Sequence, residues 1–179
     1  VGGGGCNAVD NMMRSGVKHV EYICANTDAK ALSRNQAHHL IQLGHSLTRG
    51  LGAGSVPEVG KKAAMEDREK LAALLKGTDM PFIATGMGGG TGTGAAPVIA
   101  DIARSLNILT VGVVTRPFQY EGEKRRKIAD EGITEMRKFV DSLIVIPNEK
   151  LMTELDEDVS MRDAFAAADE VLRGAVGGI

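Results

Sequence analysis

The sequence has 179 residues, of which 43% are hydrophobic and 25% are charged, and its formal net charge is −2. This length and balance suit one globular α/β domain with a sizeable core. The charge gives no reason to expect binding to nucleic acid or to a membrane surface, and no apolar run approaches the roughly 20 residues that cross a bilayer. Two cysteines without metal-ligand spacing, and the lack of a signal peptide, favour reduced thiols in the cytoplasm.

Residues 1–7 contain four consecutive glycines and are predicted to form a loop, followed by a helix over residues 8–14. Glycine lets a backbone approach a ligand closely and permits positive φ. A strand is expected to lead into such a loop, so we expect that the first strand is missing and that the sheet has a gap there. Gly3, Gly5 and Ala8 also fit the loose fingerprint of dinucleotide-binding proteins.

The alternation of residues 19–25 predicts a strand, and Asp28 follows it. An acidic residue about 20 positions after a glycine loop binds a ribose hydroxyl in dinucleotide-binding folds. A nicotinamide-dependent enzyme is therefore an alternative interpretation of this half of the sequence.

A short strand is predicted over residues 38–43, a glycine loop over 48–55 and a helix over 58–75. The region contains His38, His39 and His45, but no Cys, Asp or Glu nearby completes a ligand set, so no metal site is predicted.

The most informative stretch is a strand over residues 80–85, a loop over 86–94 that contains six glycines, and a helix to residue 106. Successive backbone N–H groups, together with the positive end of the next helix, form an anion site. A Cβ at Gly90 or Gly92 is expected to obstruct a ligand there. The Gly-Lys-Ser/Thr ending of a P-loop is absent from the sequence, so we expect the phosphate to be held without a motif lysine.

A strand over residues 109–114, a helix over 123–140, a strand over 142–146 and a helix over 160–179 complete the pattern. Alternating strands and helices predict a three-layer, Rossmann-like α/β fold, with a mainly parallel sheet covered by helices on both faces. Open sheets of this class bind ligands at the carboxyl ends of their strands.

Asp169 lies beside the apolar stripe of the last predicted helix, one turn after Phe165. A boundary carboxylate that faces water is a common feature. A carboxylate also accepts two hydrogen bonds from the N1–H and N2–H edge of guanine, which adenine does not offer, and Phe165 would stack on the base.

Residues 88–94, Gly-Gly-Gly-Thr-Gly-Thr-Gly, match the glycine-rich signature of the tubulin/FtsZ superfamily without a mismatch, and Asn26-Thr27-Asp28 also matches. The whole chain resembles the nucleotide-binding domain of FtsZ-like proteins. The resemblance implies that the nucleotide is bound by the following residues: Gly3, Gly4, Gly5, Cys6, Asn7, Asn26, Asp28, Gly54, Gly88, Gly89, Gly90, Thr91, Gly92, Thr93, Thr115, Pro117, Glu121, Arg125, Asn148, Phe165 and Asp169.

The resemblance further implies a GTPase that binds GTP or GDP, with Mg²⁺ held mainly by the phosphates. Such proteins polymerise head-to-tail into a ring at the bacterial division site, with adaptor proteins as partners and without nucleic acid or membrane insertion. Their hydrolysis needs an acidic loop from the neighbouring subunit. We therefore expect residues 1–179 to be a GTP-binding domain that lacks the C-terminal subdomain, residues 160–179 to begin the long central helix, and no catalytic residue to lie within the chain.

Two other classes are less consistent with the sequence. A dinucleotide fold needs one glycine fingerprint, whereas this chain has three glycine-rich segments, and no His or Tyr lies in a loop suited to proton transfer. A purely structural scaffold does not explain why so many glycines follow predicted strands.

Overall fold

The computed structural model describes residues 1–14 and 20–147. Over these residues the helices and strands have the following bounds, in chain order: α1 Gly2–Arg14, β1 Ile23–Asn26, α2 Ala29–Ser33, β2 His39–Gln42, α3 His45–Thr48, α4 Pro57–Glu66, α5 Arg68–Leu75, β3 Phe82–Gly86, α6 Thr91–Ser105, β4 Val111–Arg116, a 3₁₀ turn Gln119–Glu121, α7 Glu123–Arg137 and β5 Ser142–Pro147.

All pairings between these strands are parallel, as the sequence predicts. β1 pairs with β2, with Ala25 opposite Ile41, and β3, β4 and β5 form a second ladder in that order. Within the described residues no ladder joins β1 to β3, and α1 contacts both of these strands. α1 therefore connects the two ladders by packing on a strand of each.

The hydrophobic core is centred on α6, which contacts α1, α4, α5, α7 and β3. Two glycines allow α4 and α6 to pack backbone against backbone. A Cβ at Gly94 would lie 1.9 Å from the Pro57 carbonyl oxygen, and one at Gly60 would lie 2.2 Å from the Gly90 carbonyl oxygen. The last glycine of the signature thus serves helix packing and brings α4 up to the loop before α6.

The first glycine segment is helical, so its prediction as a loop is wrong. α1 begins at Gly2 and includes the residues predicted to form that loop. Glycine costs about 1 kcal/mol in a helix interior relative to Ala, and a tertiary contact overrides this preference. A Cβ at Gly5 would lie 2.2 Å from the Ala84 carbonyl oxygen, which means that α1 packs on β3 at a distance that only glycine allows.

Other boundaries also differ from the sequence prediction, and the short helices α2 and α3 were not predicted. The helix predicted over residues 58–75 is broken at Asp67, whose carboxylate accepts a 2.8 Å hydrogen bond from the Gly44 N–H. The second half of the predicted glycine loop is the first turn of α6, which begins at Thr91. α7 ends at Arg137, three residues earlier than predicted.

No helix in the described ranges is long and apolar enough to cross a membrane.

Candidate functional site

The loop between β3 and α6 is held in place by its own backbone hydrogen bonds. The Met87 N–H donates to the Thr115 carbonyl oxygen over 3.0 Å, and the Gly88 N–H donates to Thr93 Oγ over 2.8 Å. Gly88 has a φ of 108°, which favours glycine. Gly89 lies at the open side of the loop, where a Cβ would meet no atom within 4 Å.

The N-terminus of α6 carries no side-chain cap and no acidic residue in its first turn. The first N–H groups of a helix have no partner within the helix, and the helix dipole makes this end positive. The loop and the first turn of α6 therefore form a concave, positively polarised backbone surface that suits an anion.

The N-terminus of α1 lies beside that of α6. A Cβ at Gly2 would lie 3.1 Å from the Gly92 backbone nitrogen, and one at Gly4 would lie 3.4 Å from that of Gly86. α1 also lacks an acidic residue in its first turn. Two positive helix ends thus meet at the carboxyl end of β3, although the sequence suggested two loops there.

Along α1 the predicted site residues face in different directions. Gly3, Gly4 and Asn7 are exposed, whereas Gly5 and Cys6 are buried. The Cys6 side chain points towards β1, with its sulfur 3.8 Å from the Ala25 carbonyl oxygen. The exposed positions are therefore available to a ligand, and the Cys6 thiol lies beneath the helix.

Hydrogen bonds between near neighbours in the sequence fix the conformation of residues 26–31, at and after the end of β1. Asn26 Oδ1 accepts from the backbone N–H groups of Thr27, at 2.8 Å, and Asp28, at 3.3 Å. Asp28 Oδ1 accepts from the Ala31 N–H over 3.0 Å and so caps α2. That use of the carboxylate differs from the ribose contact that a dinucleotide-binding enzyme requires.

Thr27 connects this segment to the glycine loop, and sequence reasoning left it out of the predicted site. Its Oγ lies 2.5 Å from Thr91 Oγ, and its side chain is fully buried. The signal was its place between two predicted site residues, Asn26 and Asp28. One of the two threonine hydroxyls of the signature is therefore paired with Thr27, and the other, on Thr93, accepts from the Gly88 N–H.

The loop after α3 packs against the anion-binding surface formed by the glycine loop and the first turns of α1 and α6, which we call the cradle. Gly52 and Gly54 have φ angles of 91° and 60°, and a Cβ at Gly54 would meet no atom within 4 Å. Ala53 and Val56 pack against Gly90, where a Cβ would lie 2.8 Å from both the Ala53 Cβ and the Val56 nitrogen. The prediction that a Cβ at Gly90 meets the ligand is wrong, because it would meet this loop.

Gly92 needs the same correction. A Cβ there would lie 2.3 Å from Thr85 Oγ and 2.6 Å from the Gly86 carbonyl oxygen, so it would collide with β3 and not with a ligand. Within the described residues Thr85 Oγ is buried without a hydrogen-bond partner. The absence of a side chain at Gly92 thus lets α6 start directly against β3.

The segment after β4 supplies charged side chains beside Gly88. The position of a Gly88 Cβ would lie 3.0 Å from Arg125 Cγ and 3.4 Å from Pro117 Cγ. The Glu121 carboxylate accepts from the Phe118 N–H over 2.6 Å and pairs with Arg125 at 3.7 Å. The structure therefore brings four predicted site residues together at the edge of the glycine loop, as expected for one site. They are Thr115, Pro117, Glu121 and Arg125.

Asn148, Phe165 and Asp169, together with the helix predicted over residues 160–179, lie outside the described residues. In the described part of the chain no three His, Cys, Asp or Glu side chains are grouped to hold a metal ion.

Comparisons with known proteins agree with this geometry. The tubulin/FtsZ family, GTPase domain, matches residues 1–156. The cell division proteins FtsZ of Pseudomonas putida and Neisseria gonorrhoeae are each 62% identical over all 179 residues, which make up 45% of either relative. A solved FtsZ dimer from M. jannaschii, titled empty, superposes with a TM-score of 0.82 at 43% identity, over 98% of this chain and 51% of that one. The GDP-bound CetZ1 monomer of Haloferax volcanii, with a TM-score of 0.76 at 24% identity over 84% of this chain and 50% of that one, shares the fold.

This chain spans about half the length of these relatives, 45% of each curated protein named above. The family match nevertheless extends over most of its residues and includes every element that forms the cradle. The chain belongs to the tubulin/FtsZ family and carries residues of its GTPase domain.

Proposed function

We propose that this chain binds GTP, with the phosphates on the cradle formed by the glycine loop and the first turns of α1 and α6. The observation that carries the proposal is the meeting of two helix N-termini, those of α1 and α6. Gly2 and Gly92 are close enough that a Cβ on the former would lie 3.1 Å from the nitrogen of the latter. Two helix ends without acidic residues provide backbone donors and a positive potential for a polyphosphate.

The rim residues suit the rest of the nucleotide. Arg125 lies beside Gly88 and pairs with Glu121, and the two would flank the ribose and a phosphate. Gly54, in the loop that packs on Gly90, would meet the terminal phosphate. Asn148, Phe165 and Asp169 would bind the guanine base, on the strength of the family resemblance and of the two donors on one guanine edge.

Mg²⁺, when bound, would screen the negative charge of the phosphates and would be held mainly by their oxygens. Magnesium usually keeps several waters and binds phosphates with one or two protein ligands. The Thr27 and Thr91 hydroxyls, 2.5 Å apart, lie at the first turn of α6.

The parent activity that we propose is GTP hydrolysis coupled to head-to-tail polymerisation into the cytokinetic ring at the division site, in the cytoplasm. The curated relatives are named cell division proteins, and one solved neighbour is titled a dimer. We propose further that division-site adaptor proteins are partners and that an acidic loop from the next subunit is required for hydrolysis.

The binding proposal is tested by titrating the chain with a fluorescent GTP analogue and by identifying any co-purified base. Gly89→Ala is the sharpest variant, because its Cβ would meet no protein atom and would stand at the open side of the cradle. We expect it to weaken binding at least tenfold while the unfolding midpoint hardly changes.

Gly77→Ala is the matched control. Gly77 has a φ of 84° in a loop remote from the cradle, so alanine there costs about 1 kcal/mol of stability without touching the site. Its GTP affinity should equal that of the parent. Tight GTP binding by Gly89→Ala, or micromolar NAD binding by the parent chain, would refute the proposal.

A further inference from the structure

Thr27, which directly follows β1, is hydrogen-bonded to two other segments of the site. Its side chain is fully buried, so a ligand cannot reach it. Its Oγ lies 2.5 Å from Thr91 Oγ in the first turn of α6. Its carbonyl oxygen accepts a 3.4 Å hydrogen bond from Thr48 Oγ, at the last residue of α3. Thr27 therefore acts on a bound ligand only through these neighbours.

The residues after Thr27 contact the loop between α3 and α4. The Ala29 N–H donates to the Gly50 carbonyl oxygen over 3.1 Å, and Asp28 forms an antiparallel bridge with Leu51. A Cβ at Gly50 would lie 2.9 Å from the Ala29 Cβ, so the two backbones are in close contact. The position of the segment that begins at Thr27 therefore sets the position of the loop after α3.

We propose that Thr27 is a positioning residue that favours GTP over GDP, because its hydroxyl connects the first turn of α6 to the loop after α3. The inference rests on the proposed function, in which Gly54 of this loop meets the terminal phosphate and α6 meets phosphates that both nucleotides have. GTP uses both surfaces at once, whereas GDP does not use the loop. Fixing the loop relative to α6 before binding lowers the cost of ordering it, and only GTP gains from this.

The two connections of Thr27 can be separated by substitution. The hydroxyl makes the connection to Thr91, whereas the backbone carbonyl makes the connection to Thr48. Thr48 Oγ also accepts from the Gly50 N–H over 3.3 Å, so α3 and its loop keep their own hydrogen bonds in a side-chain variant. Removing the Thr27 hydroxyl therefore disconnects α6 and leaves the contacts with the loop after α3 available.

The test is displacement of a fluorescent GTP analogue from the full chain by GTP and by GDP. Thr27→Val keeps the shape of the side chain and removes the hydroxyl. We expect GTP affinity to fall about two- to tenfold, the range for one neutral hydrogen bond, and GDP affinity to change by less than about twofold. Thr27→Ser restores the hydroxyl and should recover the preference for GTP. If Thr27→Val keeps the ratio of GTP to GDP affinity of the parent chain, the proposal is overturned.

Thr110→Val is the matched control. Thr110 is also fully buried, and its hydroxyl donates to the Ile108 carbonyl oxygen over 3.0 Å before β4 begins, at the end of the strand opposite the cradle. This variant should lose stability to urea as Thr27→Val does and keep both affinities. An equal loss of the GTP preference in Thr110→Val would assign the effect to general destabilisation and would overturn the proposal.

A second measurement needs no nucleotide. The Ala29 amide reports the contact with the loop after α3, because it donates to Gly50. Its hydrogen exchange, followed by NMR, should be faster in Thr27→Val than in Thr110→Val. Equal rates would show that the hydroxyl does not position the segment. Absence of GTP binding by the parent chain would instead refute the proposed function. Thr27→Ala removes the same hydroxyl and takes the place of the valine variant if that variant does not fold.

Discussion

Thr93 fixes the conformation of Gly88, because its Oγ accepts a 2.8 Å hydrogen bond from the Gly88 backbone N–H in a buried position. The bond spans the turn from β3 into α6 and holds Gly88 at a φ of 108°. The Thr93 side chain, 5% exposed, is thereby committed to the loop itself. Its contribution to ligand binding is thus to position the backbone of the cradle.

Replacing Thr93 by valine should therefore weaken both the fold and nucleotide binding. Valine keeps the shape but leaves a buried N–H without its acceptor, which costs about 1–3 kcal/mol. Urea unfolding and GTP-analogue titration measure the two effects. Thr93→Ser retains the hydroxyl and is the control. If Thr93→Val matches the serine variant in both measurements, the hydrogen bond does not position the loop.

Gly94→Ala should destabilise the fold by about 1–3 kcal/mol or more, because its Cβ would lie 1.9 Å from the Pro57 carbonyl oxygen and overpack the α4–α6 contact. Thermal or urea unfolding measures the loss. Gly77→Ala, at a φ of 84° and in open space, separates this overpacking from the general cost of removing a glycine. Equal losses in the two variants would show that α4 moves away freely.

The contacts of the glycines are the part of the fold that the sequence did not predict. The parallel α/β pattern was predicted because buried β-branched runs such as residues 109–114 alternate with helical periodicity. The helical state of Gly2–Gly5 was missed because local propensity disfavours helices made of glycine. The contact that overrides this propensity joins Gly5 to Ala84, which is distant in the sequence. The break at Asp67 was missed for a similar reason, since its partner is Gly44.

For the site, the sequence named segments that the structure brings together, but it did not predict which neighbour each residue contacts. A Cβ at Gly90 or Gly92 was expected to meet the ligand, whereas it would meet the loop after α3 or the end of β3. Backbone contact of these two glycines with the nucleotide stays a prediction. A one-dimensional motif records that a side chain is forbidden, without recording which neighbour forbids it. Asp28 was predicted to bind the nucleotide, and in the structure its side chain caps α2.

Arg125→Ala should weaken GTP binding, whereas Arg126→Ala should not. Both residues belong to one basic run on α7, but Arg125 Cγ approaches Gly88 and its guanidinium pairs with Glu121. Arg126 lines a separate open groove of the same helix with Lys127 and Asp130. Loss of a charged contact to phosphate costs roughly 1.5–3 kcal/mol, or more than tenfold in affinity. Equal affinities of the two variants would remove Arg125 from the site.

Asp169→Ala should weaken GTP binding about tenfold or more and leave ATP binding poor, because a charged acceptor of two hydrogen bonds from guanine is lost, at roughly 1.5–3 kcal/mol. Isothermal titration with both nucleotides measures the selectivity. Glu170→Ala removes the neighbouring carboxylate and is the control. Unchanged GTP affinity in Asp169→Ala would contradict the assignment of the base contact.

The final prediction is that this chain binds GTP but hydrolyses it at a negligible rate. Hydrolysis needs a group that activates or orients water. The carboxylates of Glu121 and Asp28 already have hydrogen-bond or ion-pair partners within the chain. Glu121 accepts from the Phe118 N–H and pairs with Arg125, and Asp28 caps α2.

We therefore expect the water-orienting group to come from a neighbouring subunit, in the way that other GTPases receive a catalytic residue in trans. The measurement is phosphate release per chain against chain concentration, with and without full-length FtsZ of Pseudomonas putida. The chain alone should be inactive at every concentration. With the full-length protein, it should occupy exposed acidic loops and reduce polymer growth, and Gly89→Ala, with a blocked cradle, should do so less. Turnover by the isolated chain that rises with its own concentration would show that the catalytic group lies within these 179 residues.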